Sequence, residues 1–429
     1  MIIDFINNLD PQILQNQFFL YNKTKNKIKC LFIISIILIT PHKVPIFTME
    51  NLLDKLIRNI NHRKPKYILF LDYIESNVCS DENAYLVFKY LLEKNFRNAY
   101  YFINSETELY KNLYETKKAK NIIPLDGNEV KTYKMLYPFL LNSKLIVASY
   151  ITYFNYIVNK VFYLKLLYLT HAINYFKLRS IISEGQYLND DKRKSVILSS
   201  PFEYYVYQKL KLYKNESFYI AGLPRFDRFQ NSKKNKSEKD CILISFTYRL
   251  YNNEIYEQSL FKKNLIKLIN DESLISFLND NNVDLIISQH HHDVRRGRQL
   301  KKKELIYAKY CEQKNLSHYI EQCSLYITDF STVSFDFMFQ NKPVLFYFLD
   351  ANDTIDFDDK KYMKIEENYN IYFENVFYNQ EQLIQNIKYY VINKYKLKEG
   401  LVNKYNQMFY IKKNITGKIA DIIIKLINK

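Results

Sequence analysis

Glycine is scarce in this chain: six occur in 429 residues, where average usage gives roughly thirty. No glycine-rich phosphate loop can be assembled from them. A Walker-type nucleotide site and a GxGxxG dinucleotide site are therefore excluded, and any bound nucleotide must be held by helix N-termini and side chains. Tryptophan is absent. The five cysteines, Cys30, Cys79, Cys241, Cys311 and Cys323, contain no CxxC pair. That argues against a zinc cluster or a disulfide framework and for a reducing compartment. A long hydrophobic run is missing too. Cys30 to Thr40 (CLFIISIILIT) is strongly apolar but about half as long as a bilayer span requires. The basic stretch before it begins late for a signal peptide and no small-residue cleavage site follows, so a buried strand or an interfacial segment is expected.

What is present is globular: 48% hydrophobic and 25% charged residues, in a chain long enough for two domains with substantial cores. The net charge of +17 asks for an anionic partner, which could be nucleic acid, a bilayer surface or a polyanionic product. Its basic clusters, Lys23 to Lys29, Lys117 to Lys120, Lys233 to Lys239 and Arg295 to Lys303, do not interleave with aromatics as nucleic-acid-binding modules do.

After residues 1–60, an N-terminal extension unlike the rest, strand and helix patterns alternate. Strands are expected at Tyr67 to Leu71, Ala99 to Ile103, Ile122 to Pro124, Leu145 to Ala148, Leu166 to Leu169, Val196 to Leu198 and Phe218 to Ala221. Helices are expected at Glu82 to Leu92, Thr107 to Tyr114 and Val130 to Leu141. A polar stretch at 231–240 reads as a linker. A second alternating half follows, with strands Cys241 to Ser245, Val283 to Ser288, Leu325 to Ile327 and Val344 to Phe348, helices between Leu260 and Leu278, and terminal helices Gln380 to Val391 and Ile415 to Ile427. Such alternation predicts parallel sheets covered on both faces. The fold class is α/β: two doubly wound, Rossmann-like domains, 61–230 and 241–429, facing a central cleft in a GT-B-like arrangement.

The most informative segment is YITDFSTVSFDFMFQNKPVLFYFLD, Tyr326 to Asp350. It reads as a β-α-β unit with an acid, Asp329, and hydroxyls, Ser331 and Thr332, at its strand-to-helix turn, where a helix N-terminus can hold phosphate or be capped. Three other segments share its setting: a strand ending at His171-Ala172, a strand leading into GLPRFDR (Gly222 to Arg228), and a strand ending in Gln289-His290-His291-His292. In this order they resemble the CDP-glycerol glycerophosphotransferase family of teichoic-acid-type enzymes, with its WHG-like, GYPRND-like, KLHP-like and ITDYSS segments. The resemblance spans about Lys66 to Tyr390, and Thr247 and Arg249 match the family's APTWR turn.

The resemblance implies a GT-B fold and transfer of a polyol phosphate from a CDP-linked donor. It implies His171 as the base, departing from the pattern by Thr170 before it and Ala172 after it, and His290 at the donor diphosphate. Adjacent residues of an extended segment point oppositely, so His290 and His291 should not both face the cleft; His290, directly after the strand, is preferred. On the donor side fall Thr247, Arg249, His291, Asp329, Ser331 and Thr332. Arg249 is expected either to pair with a phosphate or to form a surface salt bridge, and Asp329 to cap the helix or contact the donor. Arg225 and Asp227 are assigned first to bracing the inter-domain turn, and Asp336 to structure. No carboxylate or cysteine completes a metal site with the histidines, and Asp190-Asp191 and Asp358-Asp359 lie in polar loops, so no metal or other cofactor is expected.

The reading is therefore a transferase moving glycerol phosphate or a related polyol phosphate from a CDP-polyol to a hydroxyl of a glycan or lipid-linked acceptor, releasing CMP, in cell-envelope polymer synthesis. It is expected to sit peripherally on the cytoplasmic face of the membrane, without nucleic acid as a partner. The alternatives are a GT-B glycosyltransferase using a nucleotide sugar and, more distantly, a basic nucleic-acid-binding protein.

Overall fold

Alternating β-branched and aromatic runs with amphipathic helices between them form two all-parallel sheets. The computed structural model describes residues 66–71, 82–115, 121–125, 136, 139–140, 142–149, 164–170, 173, 194–209, 218–230, 239–249, 251–312, 315–350 and 375–428. The expected N-terminal extension, the linker core 231–238 and most of the Val130 to Leu141 helix lie outside them. So do His171, Ala172 and both aspartate pairs.

The first sheet consists of β1 (Tyr67–Leu71), β2 (Ala99–Asn104), β3 (Ile122–Leu125), β4 (Ser143–Ala148), β5 (Lys165–Tyr168), β6 (Lys194–Leu198) and β7 (Phe218–Ile220), in the order β3-β2-β1-β4-β5-β6-β7. The second comprises β8 (Asp240–Ile244), β9 (Val283–Ile287), β10 (Lys309–Tyr310), β11 (Leu325–Thr328), β12 (Val344–Tyr347) and β13 (Val376–Phe377), ordered β10-β9-β8-β11-β12-β13. Each sheet starts in its middle, runs to one edge, then reverses. That is the doubly wound Rossmann order, whose switch points, here β1/β4 and β8/β11, open a crevice at the carboxyl ends of the strands. The central strands are buried on both faces, as such sheets require.

The two halves are bolted together by the GLPRFDR segment. Arg225 pairs with Asp336 of helix Ser334–Phe339 through Nε (2.8 Å) and Nη2 (3.2 Å). Phe226 stacks on Phe339 at 4.3 Å between ring centroids, and Arg228 pairs with Glu321 at 3.0 Å. Asp227 accepts the free N–H groups of Ile415 (3.0 Å) and Thr416 (2.7 Å), so it caps helix Ile415–Asn428 from outside. That helix, expected with the second half, instead crosses back onto the first. Its Ile415, Ile419 and Ile423 join the core of Ile68, Phe70 and Phe88. At its far end Lys144 and Lys165 donate to the carbonyls of Ile427 (3.1 Å) and Leu426 (2.6 Å), a favourable place for cations. Gly222, at φ +98°, lies where an added Cβ would meet Ile415 Cδ1 at 3.2 Å, so this close approach needs glycine.

Candidate donor and acceptor sites at the strand ends

The second switch point is built around a buried ionic triad. Arg249 follows β8, Asp329 follows β11 and Asp350 follows β12, so three strand ends converge. The guanidinium is 1% exposed and gives Nε (2.6 Å) and Nη2 (2.8 Å) to Asp350, and Nη1 to Asp329 (2.7 Å) and to the Thr247 carbonyl (2.7 Å). Phe261 and Phe330 flank it, 4.4 and 5.2 Å from their ring centroids. Burial by itself would pull its pKa down; the Asp329 and Asp350 carboxylates outweigh burial and hold the charge more firmly than usual.

Both expectations for Arg249 are thereby corrected. It is neither a surface salt bridge nor a guanidinium presented to a phosphate, because it is buried and its Nε, Nη1 and Nη2 are turned to Asp350, Asp329 and the Thr247 carbonyl. Asp329 is corrected likewise. It is wholly buried and accepts from Thr247 N (3.0 Å), Phe330 N (2.6 Å) and Arg249. It does not cap helix Ser334–Phe339, whose N-cap position, Val333, carries no side-chain cap. Asp350 was missed by the sequence reading, although its place at a strand's carboxyl end was a usable signal.

Thr247 is held by the triad through both its N–H and its carbonyl. Its Oγ1 is buried without a hydrogen-bond partner among the described residues, a hydroxyl available to a ligand. Ser331 Oγ accepts from Val333 N at 3.4 Å, and the Ser331 carbonyl accepts from Ser334 Oγ at 2.7 Å. Ser331 and Thr332 are both half-buried in the turn before the helix, as the β-α-β reading places them.

Beside this loop stand four rings. Tyr248 lies 4.7 Å from His290 and 4.8 Å from His292, while His290 lies 4.3 Å from His291 and 5.3 Å from His292. The expected alternation of His290 and His291 fails for a simple reason: the segment is not extended. His290, at φ −62° and ψ 140°, is the N-cap of helix His291–Arg295, and its Nδ1 accepts the N–H of His292 at 3.2 Å. All three imidazoles therefore gather on one side. Tyr248 and His292 were not singled out from sequence. Burial, then Arg295 and Arg296, hold the His292 imidazole below its ordinary pKa of 6.5. Asp293 is buried and turned to Arg298 at 3.3 Å. Among the described residues no cluster of histidine, cysteine and carboxylates has the geometry to hold a metal ion.

At the first switch point Asn83 opens helix Glu82–Glu93. Its Nδ2 donates to the Thr170 carbonyl (3.3 Å) and its Oδ1 accepts from Arg225 N (3.1 Å), while Ser149 Oγ accepts from Ala84 N (3.1 Å). These bonds knit the carboxyl ends of β4 and β5 to the turn after β7. Thr170 is buried at φ 57°, so the left-handed residue of this turn is a β-branched one, held by its neighbours against its own preference. Arg225 and Asp227 make the contacts with Asp336, Ile415 and Thr416 described above.

Two Rossmann-type sheets with matching strand orders and polar groups at their switch points define a GT-B-like protein. The chain belongs to the CDP-glycerol:poly(glycerophosphate) glycerophosphotransferase family, whose profile matches residues 59–425. Among curated relatives, it is 26% identical over 390 residues to the minor teichoic acid biosynthesis protein GgaB of Bacillus subtilis, covering 86% of this chain and 41% of that one. It is 25% identical over 249 residues to the teichoic acid glycerol-phosphate primase of the same organism, covering 52% of this chain and 60% of the relative. The chain thus spans less than two thirds of either relative. The solved wall teichoic acid polymerase TagF shares the fold, with a TM-score of 0.59 at 17% identity over 88% of this chain and 93% of that one. A putative UDP-N-acetylglucosamine 2-epimerase from Listeria monocytogenes does so at a TM-score of 0.51 and 12% identity, over 84% and 96%.

Proposed function

We propose that the protein transfers glycerol phosphate, or a related polyol phosphate, from a CDP-linked donor to a hydroxyl of a glycan or lipid-linked acceptor during cell-surface polymer assembly. The observation that carries this is the family match across 59–425. The structure of the second switch point supports it, with a buried Thr247 hydroxyl and the His290 ring at a nucleotide-type crevice. The acceptor oxygen attacks the phosphorus that bears the polyol. Its proton passes to His171, the bond from that phosphorus to the bridging oxygen breaks, and CMP leaves with the bond's electrons. Thr247, Ser331, Thr332 and the Nε2–H of His290 hold the phosphates, and no metal or other cofactor takes part.

Incubation with CDP-glycerol or another CDP-polyol and membranes should release CMP, undiminished by EDTA. His171→Ala should abolish release while leaving CDP binding nearly intact, because a base contributes mainly in the transition state. No CMP from any CDP-polyol would refute the reading, and turnover of a nucleotide sugar instead would favour a glycosyltransferase.

The net charge of +17 suggests peripheral attachment to the cytoplasmic face of the membrane. Among the described residues no helix is long and apolar enough to cross a membrane.

A further inference from the structure

A nucleoside diphosphate ester brings at least two negative charges to the second switch point, and the obvious cation there is already engaged. Arg249 is held by Asp329 and Asp350. His290 turns its Nδ1 to the N–H of His292 at 3.2 Å, so the nitrogen it can offer as a donor is Nε2.

The next cation is on the helix that His290 caps. In His291–Arg295, Arg295 lies four residues after His291 and three after His292, hence on their face. Its charge acts on His292, lowering that imidazole's pKa after burial and ahead of Arg296. Arg295 is exposed and makes no hydrogen bond or ion pair among the described residues. Its neighbours are engaged: Arg296 Nη1 donates to the Tyr251 carbonyl at 3.3 Å, and buried Arg298 donates to the Arg249 carbonyl at 3.0 Å and to Asp293. Gln289 clasps the returning chain through the Arg298 carbonyl (3.0 Å) and Leu300 N (2.7 Å). The support is therefore braced, while its last guanidinium is left to the solvent. The helix's own carboxylate, Asp293, is turned inward to Arg298.

We propose that Arg295 is the phosphate-binding guanidinium of the donor site, acting with His290 Nε2–H and the Thr247 hydroxyl on the diphosphate of a nucleotide-linked donor. This rests on the CDP-donor reading above. A guanidinium can grip two phosphate oxygens at once, which a histidine cannot.

Calorimetric titration with CDP and with cytidine tests it, using the wild type, Arg295→Gln, Arg295→Lys and the charge-matched surface control Lys303→Gln. Arg295→Gln should raise the Kd for CDP roughly tenfold or more, the loss expected for one charge-assisted hydrogen bond. Arg295→Lys should recover part of it, Lys303→Gln should lose nothing, and cytidine should bind all four alike. Unchanged CDP affinity in Arg295→Gln would overturn the assignment. So would an equal loss in Lys303→Gln, which would mean that only net charge matters. If the wild type bound no CDP, the donor reading itself would fail, an outcome distinct from either.

Discussion

Arg249 shows how one side chain changes meaning on folding. As a residue in a loop after a strand, it could serve a phosphate; between two carboxylates and two aromatic rings it is a structural pin for three strand ends. Arg249→Ala should therefore lower unfolding stability by about 3–5 kcal/mol, because two buried carboxylates lose their partner. Urea denaturation measures this. A phosphate ligand would behave in the opposite way, with stability retained and CDP affinity lost. Lysine should rescue poorly, since one ammonium cannot reproduce the fork that meets Asp350 through two nitrogens.

Among the elements, helix Ile415–Asn428 has the most unexpected place. It starts at Asp227 and Gly222 near the junction and ends against Lys144 and Lys165 at the amino ends of β4 and β5. Its two ends are thus satisfied by residues of the other half. Asp227→Ala should cost on the order of 1 kcal/mol, as loss of an N-terminal cap usually does. Hydrogen exchange should show the loss as faster exchange along Ile415–Asn428, with β8 to β12 unaffected. Equal acceleration throughout would mean that Asp227 acts on the whole fold rather than on this helix.

For the whole molecule, Arg225 and Phe226 fasten the first half to the helix that follows β11, and Arg228 fastens it to helix Leu316–Gln322 before β11, so the carboxyl end of β7 is tied to both helices that flank β11. A large positive charge surrounds this frame. Each basic residue near an anionic surface contributes about 1 kcal/mol, and salt weakens that attraction. High salt should strip the protein from membranes containing anionic lipid. Retention through salt and alkaline washing until detergent is added would instead mean that Cys30 to Thr40 inserts.

Much of this was legible in the chain itself. Runs such as Tyr67–Leu71 and Val283–Ile287 are long, apolar and bounded by turn residues, so period and length identified them as buried strands, and their alternation with helices implied parallel sheets. The scarcity of glycine ruled out phosphate loops, and the ITDFST segment pointed to the family. The two-residue strands β10 and β13 carried too few residues for any pattern to register. Which polar residues meet was beyond the sequence, because Arg249, Asp329 and Asp350 are neighbours only once β8, β11 and β12 lie side by side. The same holds for Tyr248 against His290 and His292, and for the side of the molecule on which the last helix packs. Local periodicity fixes what a segment becomes; only the closing of distant strands decides whether a charge is buried with a partner or left facing a ligand.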